Sequence, residues 1–225
     1  MSIDPETIAL KIVLVGEAGV GKTSIISQFI DQIFQEDLQA STGGTFSSKT
    51  FFLNNGKTIK FDIWDTAGEE RYRSLTKLFY KDSNAAILVY DITRKESFDE
   101  LKNYWANQIK ELSDSNIILV VDANKSDLSE KEEVDETQAR KFAEELNAIY
   151  CTTSARNSIG IDDLFLQIAK KYLGNNDIII TKKEGKREEK DGNDELDQQM
   201  FNKVETVKLS REQSVSMDKE KKGCC

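Results

Sequence analysis

The octapeptide Gly16-Glu17-Ala18-Gly19-Val20-Gly21-Lys22-Thr23 is the most informative part of this sequence. It matches G-x-x-x-x-G-K-[ST], a glycine-rich loop whose backbone N–H groups wrap a polyphosphate. Residues 12–15 before it (Ile-Val-Leu-Val) are typical of a buried parallel strand. After it, apolar residues recur at helical spacing and predict a helix that begins at the loop: Ile25, Ile26, Phe29, Ile30 and Ile33. The N-terminus of such a helix adds oriented N–H donors and partial positive charge at the phosphates.

Two side chains at the end of this loop are predicted to bind the phosphates and their metal ion. We expect Lys22 to reach the β- and γ-phosphates of a nucleotide, and the Thr23 hydroxyl to bind the Mg²⁺ that bridges them. The predicted phosphate-binding residues are the loop and the residue after it: Gly16, Glu17, Ala18, Gly19, Val20, Gly21, Lys22, Thr23 and Ser24.

Composition excludes several classes of protein. The chain has 225 residues, enough for one domain plus an appendage, and it contains no histidine. Ser-His and Cys-His catalytic pairs and most zinc sites are therefore excluded. The net charge of −9 argues against nucleic acid as a partner, because nucleic-acid binding needs a basic surface.

Cysteine usage and hydropathy bear on the compartment. Cys151, Cys224 and Cys225 cannot form a disulfide framework, which fits a reducing compartment. No apolar run comes near the roughly 18 residues that predict a membrane-spanning helix. Residues 1–7 lack a signal-peptide pattern. We therefore expect a cytosolic protein unless its C-terminus is modified.

Strand-like runs and helical periodicities alternate along the rest of the chain. Polar residues 31–45 form a loop of a length that is usually functional. Asn54-Asn55-Gly56-Lys57 is a hairpin signal between two strand-like runs. The pattern predicts strands over 46–53, 58–64, 85–90, 117–121 and 149–152, and helices over 97–112, 136–147 and 161–173.

These helices have apolar faces that we assign to the core. The first has Ser97 as its predicted N-cap. The predicted buried residues are Phe98, Leu101, Trp105, Ile109 and Leu112 in this helix, and Leu164, Phe165, Ile168 and Tyr172 in the last. The alternation predicts an α/β fold, a doubly wound P-loop domain. Its six-stranded sheet is parallel except for the hairpin-paired strand, with helices on both faces and ligand loops at the carboxyl ends of the strands.

The composition changes beyond Gly174. Residues 182–222 are densely charged, with acidic and basic residues in equal number and no apolar period. Such a segment cannot offset its ordering entropy, so we expect a disordered C-terminal tail. The predicted division is an N-terminal arm over 1–7, a nucleotide-binding domain over 8–174 and a tail over 175–225.

Two further motifs follow predicted strands. Asp65 stands where a P-loop protein holds Mg²⁺, often through water. Asn124-Lys125-Ser126-Asp127 follows the strand over 117–121. The Asp127 carboxylate can accept from N1–H and the N2 amino group of guanine, whereas adenine has no donors there and would leave it unpaired. The motif therefore predicts selection of GTP over ATP.

Other residues complete the predicted base site. Lys125 would lie along the base, and Ser154-Ala155 would offer a backbone N–H to the guanine carbonyl. The predicted base-binding residues are Asn124, Lys125, Asp127, Leu128, Ser154, Ala155 and Arg156.

Together these motifs resemble those of the Ras-like small GTPases, and within them the chain looks like the Rab family. The resemblance covers about residues 8–173, which would form the family's G domain, and the last three residues. It is carried by residues 60–64 (Lys-Phe-Asp-Ile-Trp), 71–76 (Arg-Tyr-Arg-Ser-Leu-Thr), 79–83 (Phe-Tyr-Lys-Asp-Ser) and 88–93 (Leu-Val-Tyr-Asp-Ile-Thr). The ending Gly223-Cys224-Cys225 is similar to the family's doubly geranylgeranylated terminus.

The resemblance implies roles for two loops. Residues of about 34–45 and 66–77 correspond to switch I and switch II, which the γ-phosphate orders and hydrolysis loosens. It implies that Phe34 stacks near the guanine and that the N–H of Gly68 contacts the γ-phosphate. Effectors would read a hydrophobic surface that includes Phe46, Trp64 and Tyr80.

The implied function is a membrane-recruited molecular switch in vesicle trafficking, which binds GTP and GDP with Mg²⁺ and hydrolyses GTP slowly. The implied partners are an exchange factor, a GTPase-activating protein, effectors and a prenyl-protein escort or dissociation factor. Prenyl groups on Cys224 and Cys225 would place the protein on the cytoplasmic face of an intracellular membrane, cycling with the cytosol.

The chain departs from the family's pattern in switch I. The family has T-x-G-x-x-F, where this chain reads Ser41-Thr42-Gly43-Gly44-Thr45-Phe46. Counting without gaps from Lys22 or from Phe46 puts Ser41 at the Mg²⁺ ligand, whereas matching the local Ser-Thr pair selects Thr42. The count favours Ser41 slightly, and either hydroxyl could ligate Mg²⁺. The predicted metal ligands are Thr23, Asp65 and either Ser41 or Thr42.

A second departure is Glu69, where the family has the glutamine that orients the attacking water. The implied catalytic residues are Glu69, Lys22 and Gly68. An ionised glutamate can only accept hydrogen bonds, so it could slow hydrolysis by repelling the phosphates, or act as a base and preserve the rate. The alternative to a switch is a hydrolysis-deficient module that holds GTP and recruits partners constitutively. A P-loop ATPase or nucleotide kinase is disfavoured by Asp127 and by the lack of an Arg-rich lid.

Overall fold

The computed structural model describes residues 7–36, 44–66, 79–113, 116–182 and 205–206. Its strands are β1 (Thr7–Val15), β2 (Thr45–Leu53), β3 (Thr58–Asp65), β4 (Ala85–Asp91), β5 (Ile118–Asn124), β6 (Ile149–Thr152), β7 (Ile180–Lys182) and β8 (Glu205–Thr206). They form one sheet in the order β6-β5-β4-β1-β3-β2-β7-β8. β1 and β3 to β6 are parallel, and β2 pairs antiparallel with β3. The predicted six-stranded, mostly parallel sheet is confirmed, and β7 and β8 extend it beyond β2.

Helices cover both faces of this sheet, as predicted. They are α1 (Lys22–Asp31), α2 (Lys95–Glu100), α3 (Ala106–Leu112), α4 (Glu136–Glu145) and α5 (Ile161–Leu173), and a π-helical turn over Leu101–Trp105 joins α2 to α3. On one face α1 and α5 meet, with the rings of Phe29 and Phe165 stacked 3.6 Å apart. The other face packs against α2, α3 and α4. β4 is buried along its whole length because both of its faces are covered.

Three predicted helical positions are wrong. α2 begins at Lys95, so Ser97 lies inside its first turn, where its hydroxyl donates to the Arg94 carbonyl at 2.7 Å instead of capping. Leu112 is 37% exposed because it ends α3, and Tyr172 is 42% exposed near the end of α5, so neither belongs to the core. Helical spacing identifies the apolar face but not the point at which a helix leaves the sheet.

Another helix boundary also differs from its prediction. The spacing places Ile33 in the first helix, but α1 ends at Asp31 because Gln32 adopts the left-handed conformation. Ile33 is therefore exposed. The predicted turn over residues 54–57 between β2 and β3 is present, with Gly56 at a positive φ of 82°.

Residues after Gly174 return to the domain, which the composition of the tail did not predict. β7 pairs antiparallel with β2, and Ile178 and Ile180 are buried in the core layer of α1 and α5. Asn54 at the hairpin holds this segment through three hydrogen bonds. Its backbone N–H donates to Ile179 O at 3.2 Å, its amide donates to Asp177 O at 2.9 Å, and its amide oxygen accepts from Ile179 N at 3.3 Å.

Among the described helices, none is long and apolar enough to cross a membrane.

Candidate functional site

The phosphate loop connects β1 to α1, and two of its glycines are required by close packing. A Cβ at Gly16 would lie 2.2 Å from the Val89 carbonyl oxygen of β4, and one at Gly21 would lie 2.3 Å from Asn124 Nδ2. Both glycines also have positive φ, 145° and 99°. The loop therefore lies directly against the ends of β4 and β5, and only glycine fits at these two positions.

Lys22 is buried at the first position of α1. Its Nζ donates to the carbonyl oxygens of Gly16 and Glu17, both at 2.9 Å, so the ammonium lies inside the turn of the loop. Burial lowers the pKa of Lys22 to about 8, and the carboxylates of Asp65 and Glu17 oppose that shift. The predicted phosphate-binding lysine is thus held in place by the loop itself.

Thr23 and Asp65, which the sequence predicts as metal ligands, lie next to each other. The Thr23 hydroxyl donates to Asp65 Oδ2 at 2.6 Å, and the buried Thr66 hydroxyl fixes the end of β3 by donating to Leu14 O at 2.6 Å. A hydroxyl and a carboxylate are hard oxygen ligands of the kind that Mg²⁺ prefers, and Mg²⁺ typically takes only one or two protein ligands beside phosphate and water. The donor set therefore fits Mg²⁺.

Four other predicted site residues lie outside the described residues: Ser41, Thr42, Gly68 and Glu69.

Asn124 connects the base-recognition loop to the phosphate loop. Its Nδ2 donates to Val20 O at 2.8 Å, and its Oδ1 lies 3.2 Å from Thr153 Oγ1 and accepts from Ala155 N at 3.4 Å. One amide thus joins three loops at the carboxyl ends of the strands. The distant sequence motifs are brought together because those strands are parallel.

Asp127 and Ser154 form the second contact between the two base loops. The Ser154 hydroxyl donates to Asp127 Oδ1 at 2.5 Å, which orients the carboxylate. The backbone N–H of Ser154 already donates a hydrogen bond to Ile159 O at 2.9 Å. The predicted N–H donor to the base is therefore Ala155, whose N–H makes only the long 3.4 Å contact with Asn124 Oδ1 among the described residues, while Ser154 acts through its side chain.

A chain of charged side chains also joins the two loops, and the sequence motifs did not reveal it. Arg94 Nη2 donates to Glu17 Oε2 at 3.2 Å and to Ala18 O at 3.0 Å. Lys125, held at a positive φ of 68°, places its Nζ 2.7 Å from Asp91 Oδ2. Burial would raise the pKa of Asp91, but hydrogen bonds from Lys125 and Thr93 hold it below its ordinary value. Arg94 Nε lies 3.7 Å from the same Asp91 oxygen.

The remaining predicted base-site residues border this loop. Arg156 forms an exposed ion pair with Glu36 at 2.5 Å, which links the loop after β6 to the segment after α1. Phe34 is half-buried and packs against the core layer of α1 and α5. The Leu128 N–H donates to Lys125 O at 2.9 Å in the 3₁₀ turn over Ser126–Lys131. Ser24 is the third residue of α1.

The predicted aromatic surface is only partly correct. Phe46 is exposed, and its ring lies 5.0 Å from that of Trp64, but Tyr80 is 1% exposed and belongs to the core. Phe79 contacts Trp64 instead, at 5.1 Å, so the aromatic cluster is Phe46, Trp64 and Phe79. A Cβ at Gly44 would lie 2.4 Å from the Phe79 ring. Two adjacent aromatic residues gave the sequence no means to tell which one faces outward.

Comparison with known proteins shows the family of this chain. A family model of the Ras family matches residues 11–174. The chain is 41% identical to Ras-related protein Rab-22A of Homo sapiens and 42% identical to Ras-related protein Rab-31 of Mus musculus. Each match spans 162 residues, 72% of this chain and 82% of the relative.

The sheet, the phosphate loop and the match to the Ras family define a small GTPase of that family, whose members bind and hydrolyse GTP. With Rab-22A and Rab-31 as relatives at this identity, the chain belongs to the Rab family. The resemblance drawn from the motifs is confirmed.

Proposed function

We propose that this Rab-family chain is a GTP/GDP switch that is anchored to an intracellular membrane by two prenylated cysteines and recruits effectors in vesicle trafficking. The observation that supports it best is the convergence of three sets of residues at one edge of the sheet: Lys22 in the phosphate loop, the pair Thr23 and Asp65, and the base loop around Asn124. Residues 8–174 would form the G domain, with the arm 1–7 before it and the tail 175–225 after it, and the start of that tail packs back on the domain through Ile178 and β7.

In this proposal each group has a separate task. The N–H groups of the phosphate loop and the Lys22 ammonium hold the β- and γ-phosphates. Thr23, Asp65 and one hydroxyl of switch I, Ser41 or Thr42, would hold Mg²⁺, which when bound neutralises charge on the phosphates. Gly68 would donate its N–H to the γ-phosphate, so that switch II responds to the nucleotide.

The base loop would select guanine. Asp127 accepts from the guanine N1–H and N2 amino group, and the Ala155 N–H donates to the guanine carbonyl. Asn124 holds the loop against the phosphate loop through Val20. The Ser154 hydroxyl donates to Asp127 Oδ1 and so orients the carboxylate for this contact.

The surface for effectors would be the aromatic cluster of Phe46, Trp64 and Phe79, residues that adjoin both switches in the sequence. An exchange factor, a GTPase-activating protein and a prenyl-protein escort or dissociation factor would complete the cycle between the cytosol and the cytoplasmic face of a membrane. Cys224 and Cys225 would carry the prenyl groups.

Single-turnover GTP hydrolysis tests the switch against the alternative, a hydrolysis-deficient module that binds partners constitutively. Glu69 is the reason for considering this alternative, because a glutamate cannot donate a hydrogen bond when ionised and adds negative charge beside the phosphates. We expect slow intrinsic hydrolysis, weakly stimulated by a Rab-activating protein, and stronger stimulation of Glu69→Gln. Stimulation of Glu69→Gln no greater than that of the wild type contradicts this role of Glu69. Absence of all hydrolysis in the wild type supports the constitutive module.

A further inference from the structure

Asp122 is a buried carboxyl group in β5 that the proposed nucleotide chemistry does not use. Its side chain is 0% exposed, and its neighbours in the sheet are Val89 of β4 and Cys151 of β6. The Thr153 hydroxyl lies 3.0 Å from Asp122 Oδ1 and 2.9 Å from Oδ2. Burial raises the pKa of Asp122 to about 7, and the hydrogen bond from Thr153 opposes the shift. The carboxyl group therefore changes charge near neutral pH.

The other ionisable side chains near Asp122 do not provide this change of charge at the same place. Cys151 on β6 and Tyr90 on β4 are both neutral at this pH, because burial raises the pKa of each. Asp163 in the first turn of α5 acts electrostatically on Cys151. Lys22 on α1 directs its ammonium to the carbonyl oxygens of the phosphate loop.

Thr153 links Asp122 to the base site. Its Oγ1 lies 3.2 Å from Asn124 Oδ1, and Asn124 Nδ2 donates to Val20 O at 2.8 Å. The Thr153 hydroxyl has one proton and three possible acceptors, the two carboxylate oxygens of Asp122 and the amide oxygen of Asn124. When Asp122 is ionised, the hydroxyl donates to its charged carboxylate. When Asp122 is protonated, its own O–H donates to Thr153, and the proton of Thr153 is free to bind Asn124. A continuous chain then runs from Asp122 through Thr153 and Asn124 to Val20.

We propose that Asp122 is a positioning residue for guanine-nucleotide binding, because its proton decides whether Thr153 holds the Asn124 amide in place. The inference rests on the proposed function of Asn124 in the base loop. Since the protonated form completes the chain, nucleotide dissociates slowly below neutral pH and faster as the pH rises and Asp122 ionises. By linkage, bound nucleotide in turn favours the protonated form.

The experiment measures dissociation of a fluorescent GDP analogue from the full-length chain, at fixed Mg²⁺, from about pH 5.5 to about pH 8.5. For the wild type we expect dissociation to accelerate about three- to tenfold across this range, the change that one hydrogen bond supplies. In Asp122→Asn the amide donates to Thr153 at every pH, so the acceleration disappears. Titration of Lys22 and of the nucleotide is common to both chains, so the difference between them isolates Asp122.

Changes at Thr153 give an independent test. Thr153→Val removes the connecting hydroxyl and should abolish the pH dependence, whereas Thr153→Ser keeps the hydroxyl and should retain it. If Asp122→Asn does not fold, Asp122→Val places an apolar side chain in the same layer and makes the same comparison. A purely structural role of Asp122 would change dissociation equally at all pH values.

Two results would overturn the inference: a wild type without the acceleration, or an Asp122→Asn chain with the wild-type profile. Failure of the wild type to bind the GDP analogue at any pH contradicts the proposed function instead. The two failures are therefore distinguishable.

Discussion

Replacing Ile178 by alanine tests whether the chain after α5 is part of the folded domain. Ile178 is 2% exposed and lies in the core layer of α1 and α5, two residues before β7. Reducing a buried isoleucine to alanine costs about 2–5 kcal/mol, and the upper part of this range comes from the cavity left behind. Because Ile178 lies at the margin of the sheet, where its own segment can move into the space, we expect a loss of about 2–3 kcal/mol.

The assay is thermal unfolding of the full-length chain at saturating GDP, followed by the fluorescence of Trp64 and Trp105. Saturation keeps the stabilisation by ligand equal in all variants. For a chain of this size, a loss of about 2–3 kcal/mol lowers the midpoint by roughly 4–12 °C.

Ile179→Ala is the matched control, because it removes the same atoms from the next residue of the segment. Ile179 is only half-buried and contacts Asn54 through its backbone, which the substitution keeps. We expect a loss of less than about 1 kcal/mol. Equal losses from the two variants would refute the reasoning that burial of Ile178 fixes the segment. An unchanged midpoint for Ile178→Ala would show that the segment is not packed on the sheet.

The remaining predictions concern the nucleotide site and the C-terminus. Asp127→Asn should weaken GDP binding by at least about 2 kcal/mol, roughly 30-fold, because an amide donor replaces an acceptor. Asp99→Asn, at a partly exposed position of α2, should not change the affinity measured by titration. Ser41→Ala should weaken GTP far more than GDP, and Thr42→Ala should do so less, since switch I closes over the γ-phosphate; the reverse order would assign the Mg²⁺ ligand to Thr42. The double substitution Cys224→Ser, Cys225→Ser should release the protein from membranes in cell fractionation, because one lipid chain anchors only marginally and the neutral tail adds no basic signal.

The residues of the site that the sequence predicted share one property. Asp65 and Asn124 are the last residues of β3 and β5, and Lys22 begins α1 after the short loop that follows β1. Parallel strands bring their carboxyl ends to the same edge, so the order of strands in the chain is enough to predict that these side chains meet. Long-range contacts were not needed for that prediction.

Other features depend on information that a linear pattern does not contain. Arg94 reaches the phosphate loop with a long side chain, across 77 residues of sequence, and belongs to no motif. The choice between Phe79 and Tyr80 depends on which of two adjacent rings the core accommodates. Ile178 was missed because a short apolar run beside a densely charged tail gives too little area for its burial to be expected.

The contacts in the site indicate how the two halves of a nucleotide would be sensed together. The phosphate loop is joined to the base loop once by a neutral hydrogen bond, from Asn124 to Val20, and once by the charged chain from Glu17 through Arg94 and Asp91 to Lys125. The charged chain is partly exposed, so salt screens it and it contributes little to stability by itself. The hydrogen bond from the Asn124 side-chain amide to Val20 O is buried and 2.8 Å long, and its loss would leave an unsatisfied donor. The coupling between the two loops therefore depends mainly on Asn124, which is also the residue that Thr153 and Asp122 hold.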